Sequence, residues 1–364
     1  ALTMKDAIRL TSGEPDFATP SHIREAAKKA LDEGYTFYTS ARGLPEFREA
    51  VCEKIREEQG VDIDPNSEVI ATCGGIEGIY LALASLVNPS DDVIIPDPGY
   101  ISYEAIVSFV GGRPVPVPLE AEEDFKLDPL EIEKRITSRT KMIVLNSPGN
   151  PTGMVTNERE LEAVAEIARK HDLLVLSDEA YEKIIYDGIK HRSIIEFPEM
   201  KERTILIKTF SKTYAMTGWR IGYLIGERDI VQELAKIQSY IVLCVSATAQ
   251  KAAVAALKGP QDSIREMVKE FDMRRKLTVD RLNRIERITC NTPKGAFYAF
   301  PKISKLGMKS YEFTELLLNK AKVAVYPGIG YGERGEGYVR ISYAASREKL
   351  KEGLDRLEDT INEL

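Results

Sequence analysis

The feature that most limits how this chain can fold is the alternation, through its middle, of short apolar runs with amphipathic helical segments. Segments such as Ile79–Val87 and Glu158–His171 carry apolar residues on one helical face. Runs of strand length lie between such segments: Val69–Cys73, Asp92–Pro96, Lys141–Asn146, Leu173–Ser177, Thr204–Thr209 and Arg220–Ile225. Strands that are apolar on both faces and are joined by helices are typical of a sheet covered on both sides. The pattern predicts an α/β domain with a mostly parallel sheet.

The last third of the chain has a different rhythm. Asp262–Ile288 has the pattern of one long helix, and it is followed by strand-like runs at Gly295–Phe300, Val323–Tyr326 and Tyr338–Tyr343. A chain of 364 residues is also too long for one simple domain. We therefore predict a second, smaller lobe, and we expect the N-terminal stretch Asp16–Leu31 to pack with it.

Charge and hydropathy narrow the class of partner. The formal net charge is −7 and the sequence pI is near 5.4, whereas nucleic acids and anionic membranes favour basic surfaces. The sequence contains no apolar run of the roughly 18 residues that a membrane span needs, and Ala1–Phe17 lacks the layout of a signal peptide. We predict small-molecule substrates, no nucleic acid or membrane partner, and a cytoplasmic location.

The cysteines do not form a metal-binding pattern. Cys52, Cys73, Cys244 and Cys290 are far apart and include no C-x-x-C pair. We expect them to be reduced and buried, and we predict no metal site.

Polar residues follow the predicted strands, where ligands bind in open α/β sheets. Gly74-Gly75-Ile76 comes after the first strand and opens a helix, so its backbone N–H groups could face a phosphate. A diglycine before a helix is more often only a turn. Asp178 and Tyr181 follow another strand, and Ser211-Lys212 follows Thr204–Thr209.

Each of these side chains also has a simpler structural explanation. Asp178 could cap the next helix, and Tyr181 could be a core residue. A lysine is ordinarily a solvated surface residue, but Lys212 lies in a segment that is poor in exposed charge. Arg220 follows it by eight positions and opens the next predicted strand.

The motifs together resemble one enzyme family. Asn150-Pro151-Thr152-Gly153, Asp178-x-x-Tyr181, and Ser211-Lys212 followed by Arg220 are similar to the pyridoxal 5'-phosphate (PLP) dependent class I/II aminotransferases of fold type I, the aspartate/aromatic aminotransferase-like group. The similarity extends over nearly the whole chain. It implies a large PLP-binding domain, residues 31–278, in which helices sandwich a mostly parallel seven-stranded sheet. Residues 1–30 and 279–364 would form the smaller α+β domain.

The resemblance implies a catalytic role for Lys212, Asp178 and Tyr181. Lys212 would form an imine with the cofactor aldehyde and, once freed by the substrate, would move a proton between the substrate Cα and the cofactor. Asp178 would pair with the pyridinium nitrogen and so keep the ring an electron sink. Asn150 and Tyr181 would donate hydrogen bonds to the phenolic oxygen of the ring.

The resemblance also implies the remaining cofactor contacts. Tyr100 would stack on the ring, at a position where many relatives have Trp. Tyr38 would reach across a homodimer interface to the phosphate of the partner subunit. The phosphate would otherwise be bound by the backbone N–H groups of Gly75 and Ile76 and by the side chains of Thr209, Ser211 and Arg220.

Substrate binding would involve both ends of the chain. Arg340 is similar to the arginine that binds the substrate α-carboxylate through two parallel hydrogen bonds, with Gly13 and Asn150 nearby. We hypothesise that substrate binding closes the smaller lobe and expels water. The run from Gly330 to Gly335 fits G-x-G-x-x-G, but a strand rather than a helix follows it, which argues against a dinucleotide site.

Three functions are compatible with these motifs. The first is an aminotransferase acting on an amino acid and a 2-oxo acid such as 2-oxoglutarate. A PLP-dependent β-lyase or synthase of the same fold shares every cofactor contact, and a PLP-sensing regulator domain without catalytic activity is the third. Ile76 is apolar where some aspartate-using relatives have lysine. This residue favours aromatic or bulky apolar donors, for which Tyr35, Phe37, Tyr38, Tyr100 and Tyr103 could provide aromatic surface.

Overall fold

A computed structural model describes residues 6–364, so the first five residues of the predicted smaller domain and of the segment Ala1–Phe17 lie outside the described residues. The strands are β1 (Ile8–Arg9), β2 (Val69–Thr72), β3 (Asp92–Asp97), β4 (Arg113–Pro118), β5 (Thr140–Asn146), β6 (Leu174–Asp178), β7 (Thr204–Thr209), β8 (Gly222–Ile225), β9 (Tyr298–Ala299), β10 (Val323–Ala324), β11 (Tyr326–Pro327) and β12 (Val339–Ser342).

The helices cover both sides of the main sheet and build most of the rest of the chain. They are α1 (Ser21–Asp32), α2 (Pro45–Gln59), α3 (Gly75–Leu86), α4 (Ser102–Phe109), α5 (Pro129–Glu133), α6 (Glu158–Lys170), α7 (Phe210–Thr213), α8 (Arg228–Ile241), α9 (Ala247–Lys258), α10 (Asp262–Leu282), α11 (Ser310–Leu316) and α12 (Arg347–Asn362). Among the described residues, no helix is both long enough and apolar enough to cross a bilayer.

The main sheet has seven strands in the order β2-β8-β7-β6-β5-β3-β4, which confirms the predicted sheet. Only β8 runs antiparallel to its neighbours β2 and β7. Alternate residues of a strand face opposite layers: Met142 and Val144 share an apolar cluster with Leu234 of α8, whereas Ile143 shares one with Val164 of α6. The sheet therefore lies between two helical layers, and the carboxyl ends of its parallel strands meet at one edge.

In the main sheet, β4 is the strand that the sequence pattern did not predict; the short β1 was not predicted either. The sequence of β4 alternates proline with other residues, and a proline normally argues against a central strand. However, β4 pairs only with β3 and is an edge strand. Arg113 donates its N–H toward Asp91, and Leu119 donates its N–H to Asp97. The intervening prolines therefore occupy positions where an N–H would face away from the sheet.

The five described strands outside the main sheet form two small sheets, which pack on an apolar core of their own. β12 pairs antiparallel with both β9 and β11, and β1 pairs parallel with β10. The long helix predicted to reach Ile288 ends at Leu282 and is α10. Because α10 passes through residues 278 and 279, the domain boundaries stay a prediction.

The N-terminal segment differs from the expected packing. Phe17 packs against the core of the two small sheets, as expected. Ile23 and Ala27 of α1 instead share a core with Phe47 of α2 and Val69 of β2. The apolar face of α1 thus packs on the main-sheet side.

Candidate active site

The carboxyl ends of the parallel strands open into a cavity of about 400 Å³. β5 ends at Asn146, β6 at Asp178 and β7 at Thr209, and all three residues line this cavity. The structure brings nearly all of the predicted site residues to its wall: Gly13, Gly75, Ile76, Tyr100, Asn150, Asp178, Tyr181, Thr209, Ser211, Lys212, Arg220 and Arg340. Tyr38 is the predicted site residue that does not line it.

Lys212 lies in α7, the single helical turn that directly follows β7. The hydroxyl of Thr209 caps this turn by accepting a hydrogen bond from the N–H of Ser211 at 3.2 Å. The Lys212 amine donates a hydrogen bond to the Gly13 carbonyl. Burial lowers the pKa of the amine to about 8, with the Arg220 and Arg340 guanidiniums acting in the same direction. About a tenth of the amine is therefore neutral, and nucleophilic, at pH 7.

Asp178 is a buried carboxylate held from two directions. The Tyr103 hydroxyl donates to Oδ2 at 2.7 Å, and the N–H of Ala180 donates to Oδ1 at 3.1 Å. Burial raises the pKa of this carboxyl. A cation placed beside Asp178 in the cavity would favour its ionised form.

Tyr103 is the neighbour whose role the sequence did not predict. It was considered only as possible aromatic surface, but it is fully buried on α4 and its ring packs edge-on against Tyr100 at 5.5 Å. A buried tyrosine normally needs a hydrogen-bond partner for its hydroxyl. The sequence signal for this role is its position near the start of an apolar helix, three residues after Tyr100.

Gly74 and Arg220 are in contact at the start of α3, and Arg220 lines the cavity. Gly74 has a φ of +82°, and a Cβ there would lie 2.6 Å from Arg220 Nη2, so only glycine leaves room for the guanidinium. Arg220 donates to the carbonyls of Thr217 and Cys73 at 3.0 and 3.1 Å. No side chain in the described part of the chain caps the first turn of α3. Free N–H groups and a guanidinium thus meet at one point, an arrangement that suits a phosphate.

The prediction that Arg220 opens a strand is wrong. Arg220 has a left-handed backbone with φ of +53°, and β8 begins two residues later at Gly222. The turn at Arg220 precedes β8, so the pairing of β8 with β2 and β7 starts at Gly222.

Arg340 lies on β12 with its guanidinium in an aromatic cage. It is 4.2 Å from the ring centre of Tyr298, 5.2 Å from that of Tyr331 and 5.6 Å from that of Tyr326. Its Nη1 donates to Asn150 Oδ1 at 3.0 Å and its Nη2 to the Thr11 carbonyl at 2.8 Å. The buried Nε has no hydrogen-bond partner among residues 6–364. A buried donor without a partner costs free energy that a bound carboxylate could recover.

Asn150 and Tyr181 have partners that constrain their roles. Because Asn150 Oδ1 accepts from Arg340, its amide nitrogen is the group left to donate toward a ligand. The Tyr181 hydroxyl is 2.7 Å from that of Tyr298. Tyr298 was not predicted as a site residue.

The remaining aromatic candidates are scattered. Tyr38 and Phe37 are 84% and 83% exposed, and Tyr35 packs under the Lys251 ammonium at 4.3 Å. Tyr100 is therefore the member of this group whose ring can contact a ligand in the cavity.

The expectation that all cysteines are buried is wrong for two of them. Cys52 and Cys290 are buried, and Cys73 and Cys244 are partly exposed in loops. All four are free thiols.

A buried ion cluster lies behind Asp178. Glu179, Glu182 and His191 place ligand atoms within 4.8 Å of one another, a spacing that could hold a metal ion. The Lys208 ammonium instead pairs with Glu182 and lies 3.4 Å from Glu179. The Lys208 ammonium thus lies between the two carboxylates, and we interpret the cluster as an ion-pair network that joins the end of β6 to β7.

Known proteins resemble this chain over its whole length. The sequence matches the profile of the family described as aminotransferase class I and II over residues 5–357. It is 46% identical to an aspartate aminotransferase of Pyrococcus abyssi, over 100% of this chain and 94% of that protein. It is 45% identical to aromatic-amino-acid aminotransferase 2 of Thermococcus litoralis, over 98% and 92% of the two chains. A crystal structure of an aromatic aminotransferase from Pyrococcus horikoshii superposes with a TM-score of 0.97, at 44% identity and with 99% and 96% coverage.

The cavity fits PLP, the cofactor that this family uses. The space that Gly74 leaves beside Arg220, the free N–H groups of α3 and the hydroxyls of Thr209 and Ser211 suit its phosphate. The buried carboxylate of Asp178 and the amine of Lys212 suit its ring nitrogen and its aldehyde. Sequence, fold and donor set agree, and the chain belongs to the class I and II aminotransferases.

Proposed function

We propose that this PLP-dependent aminotransferase transfers the amino group of aromatic or other bulky apolar amino acids to a 2-oxo acid such as 2-oxoglutarate. The observation that carries the proposal is that Lys212, Asp178 and Arg340 line one cavity together with apolar and aromatic side chains. The relatives named for aspartate and for aromatic amino acids support amino transfer and leave the donor class open.

The residues of this chain divide the work. PLP supplies an aldehyde that reacts with amines and a ring that withdraws electrons from the substrate Cα. Lys212, with a pKa lowered to about 8, accepts the Cα proton and returns one to the product. Asp178, oriented by Tyr103, stabilises positive charge at the ring nitrogen. Arg340 binds the substrate carboxylate and so fixes which bond at Cα can break.

The charges of the cavity support an apolar donor side chain. Of the described residues that line it, Lys212, Arg220 and Arg340 are the cationic ones, and each already has a proposed role. Ile76, Tyr100 and Ile101 add apolar surface at the wall. An aspartate side chain would need a further cation from this chain or from a partner subunit.

Donor kinetics test this proposal. With holoenzyme and 2-oxoglutarate, we expect kcat/KM for phenylalanine and tyrosine to exceed that for aspartate and alanine by about tenfold or more, because the cavity wall favours apolar area. Product oxo acid is measured for each donor. A preference for aspartate would contradict the proposed donor class, and release of ammonia and pyruvate from a β-substituted donor would show lyase activity instead.

We further propose a homodimer in which Tyr38 of each subunit reaches the phosphate site of the other. Phe37, Tyr38 and Tyr240 are more than 80% exposed, which is unusual for three large aromatic residues. The N–H of Thr39 contacts the Cys244 sulfur at 3.4 Å, so the segments that carry these rings are neighbours. The exposed patch and the absence of Tyr38 from its own cavity wall both support an intersubunit role.

Subunit mixing tests the dimer. We expect Tyr38→Phe to weaken PLP binding by about tenfold, because a hydrogen bond to a charged phosphate is lost. When Tyr38→Phe and Lys212→Ala subunits are co-folded, half of the hybrid's sites combine an intact Lys212 with an intact Tyr38, and these sites should bind PLP with wild-type affinity. Sedimentation measures the assembly state. A monomer at working concentrations, or no recovery in the hybrid, would contradict the intersubunit role.

A further inference from the structure

The hairpin that connects β11 to β12 lies against the turn that follows β3. We call residues 328–335 the glycine loop and residues 97–100 the strand-end turn. The N–H of Gly99 donates to the Tyr331 carbonyl at 2.8 Å, and Asp97 Oδ1 accepts from the N–H of Arg334 at 3.1 Å. Asp97 and Arg334 are 237 positions apart in the chain. These contacts therefore join two distant segments directly beside the cavity.

The close approach explains the glycine pattern of this loop. Gly332 has a φ of +121°, and a Cβ there would lie 2.1 Å from Asp97 Oδ1. A Cβ on Gly335 would lie 2.0 Å from the Gly328 carbonyl oxygen. The G-x-G-x-x-G letters thus arise from contacts with Asp97 and within the loop, in a hairpin without the helix that a dinucleotide site requires.

The ionised carboxylate of Asp97 costs free energy in the folded protein. Asp97 is only 7% exposed, and burial raises the pKa of its carboxyl from an ordinary 3.8 to about 6. The N–H and guanidinium of Arg334 act to lower this pKa, whereas Glu333 of the loop and Glu104 of α4 raise it. Because the folded-state pKa lies above the ordinary value, folding stability falls as the pH rises from about 4 through 6. A buried carboxylate that costs stability at neutral pH is typical of a functional position.

The glycine loop leads directly to the carboxylate-binding side of the cavity. Tyr331 is 4% exposed, and its ring is one wall of the cage around the Arg340 guanidinium. Tyr326, on the strand before the loop, pairs with Arg340 on the strand after it. Tyr100 follows Gly99 on the opposite side of the contact and also lines the cavity. A shift of the loop would therefore move Tyr331 and Arg340 relative to Tyr100.

We propose that Asp97 is a positioning residue for substrate binding: by holding the N–H of Arg334 it keeps the glycine loop in place, and so fixes Tyr331 and Arg340 around the substrate carboxylate. Asp97 acts through the loop and does not touch the substrate. The inference rests on the proposed function, since it assumes that Arg340 binds a carboxylate.

The test measures how tightly holoenzyme binds 3-phenylpropionate, a carboxylate without an amino group, by calorimetry between pH 5 and 8. We expect Asp97→Ala to raise Kd about tenfold at pH 8, because the Arg334 N–H loses a charged acceptor. Asp97→Asn keeps an oxygen acceptor without the charge and should raise Kd about threefold at pH 8. Below about pH 5.5 the wild-type carboxyl is largely protonated, so the ratio of the Asn variant to wild type should approach one. Other groups that titrate in both proteins cancel in this ratio.

Two control variants separate positioning from general damage. Asp92→Asn removes a buried carboxylate at the opposite end of β3, and it should lower the melting temperature without changing Kd. Arg334→Ala keeps the backbone N–H that Asp97 accepts, and removes the exposed ion pair with Glu120 and the guanidinium charge that lowers the pKa of Asp97. At pH 8, where Asp97 is ionised in both proteins, Kd should change less than twofold.

Each outcome has a distinct meaning. Unchanged Kd in Asp97→Ala, or an Asn to wild-type ratio that does not vary with pH, would overturn the inference. If Asp97→Ala does not fold, the pH dependence of the Kd ratio between Asp97→Asn and wild type decides whether the inference holds. Wild-type holoenzyme that does not transaminate would overturn the proposed function and leave the analogue-binding result to be judged separately.

Discussion

Replacing Lys212 with alanine is expected to lower kcat by about 10⁴-fold or more, because both the covalent link to the cofactor and the general base are lost. The Lys212 amine is the cavity group whose pKa burial lowers to about 8. The carboxylate of Asp178 accepts a hydrogen bond from Tyr103 and has the proposed role of stabilising the ring nitrogen, so it does not replace Lys212 as the base. PLP affinity should fall much less, because Arg220, Ser211 and the start of α3 remain to bind the phosphate. Turnover and PLP binding, measured separately, check the two halves of this prediction.

Two further variants make the Lys212 result specific. Lys212→Arg keeps a positive charge but offers no amine that can form an imine, so it should be as inactive as Lys212→Ala. Lys183→Ala removes a partly exposed lysine that is paired with Glu58 at 2.7 Å, and its kcat should stay within about twofold of wild type. Mass spectrometry after borohydride reduction should find the cofactor on Lys212. Retention of more than about 1% of kcat in Lys212→Ala would refute the proposed role.

How far the sequence predicts this site depends on whether a residue acts through its place in the chain or through its neighbours in space. Asp178 and Lys212 are singled out because each lies at or just after the end of a strand, and parallel strands bring their carboxyl ends to one edge. Their roles are predicted from the family resemblance. The fold then assembles the cavity without further information. Tyr298, which pairs with Tyr181, comes from another part of the chain and carries no local signal of that contact.

Two errors in the predicted strands have a common cause, which is a contact that the local sequence does not show. Strand β4 was missed because proline lowers strand propensity, and only its edge position makes the prolines acceptable. The apolar residues that follow Arg220 predict a strand there, whereas its backbone is left-handed and its guanidinium donates to the Cys73 carbonyl. In both places tertiary contacts decide the local conformation.

The sequence of the glycine loop excludes a dinucleotide site but does not show what the loop contacts. Its letters fit a known motif, and the strand that follows it was sufficient to reject that motif. What the loop does depends on Asp97, far away in the sequence. Only the three-dimensional contact identifies the reason for glycine at 332.

Replacing Arg340 is the second change for which we expect a large effect. The guanidinium presents a planar fork to a carboxylate, and its Nε has no hydrogen-bond partner within the described chain. Arg340→Lys keeps the charge but loses the fork, so kcat/KM for an amino acid should fall by about 10²-fold. Arg340→Ala should lower it by about 10³-fold or more, since Asn150 Oδ1 and the Thr11 carbonyl also lose their donor.

A substrate without a carboxylate separates lost recognition from lost structure. Wild-type enzyme should prefer phenylalanine to phenethylamine strongly, because only the amino acid can pair with Arg340. In Arg340→Ala the rate with the amine should stay within a few-fold of wild type while the rate with phenylalanine collapses, so the preference largely disappears. Arg347→Ala, which removes an exposed pairing with Glu270, should leave the preference unchanged. If both substrates lose rate equally in Arg340→Ala, Arg340 supports the site as a whole and does not bind the carboxylate, and the proposed orientation of the substrate at Cα has to be abandoned.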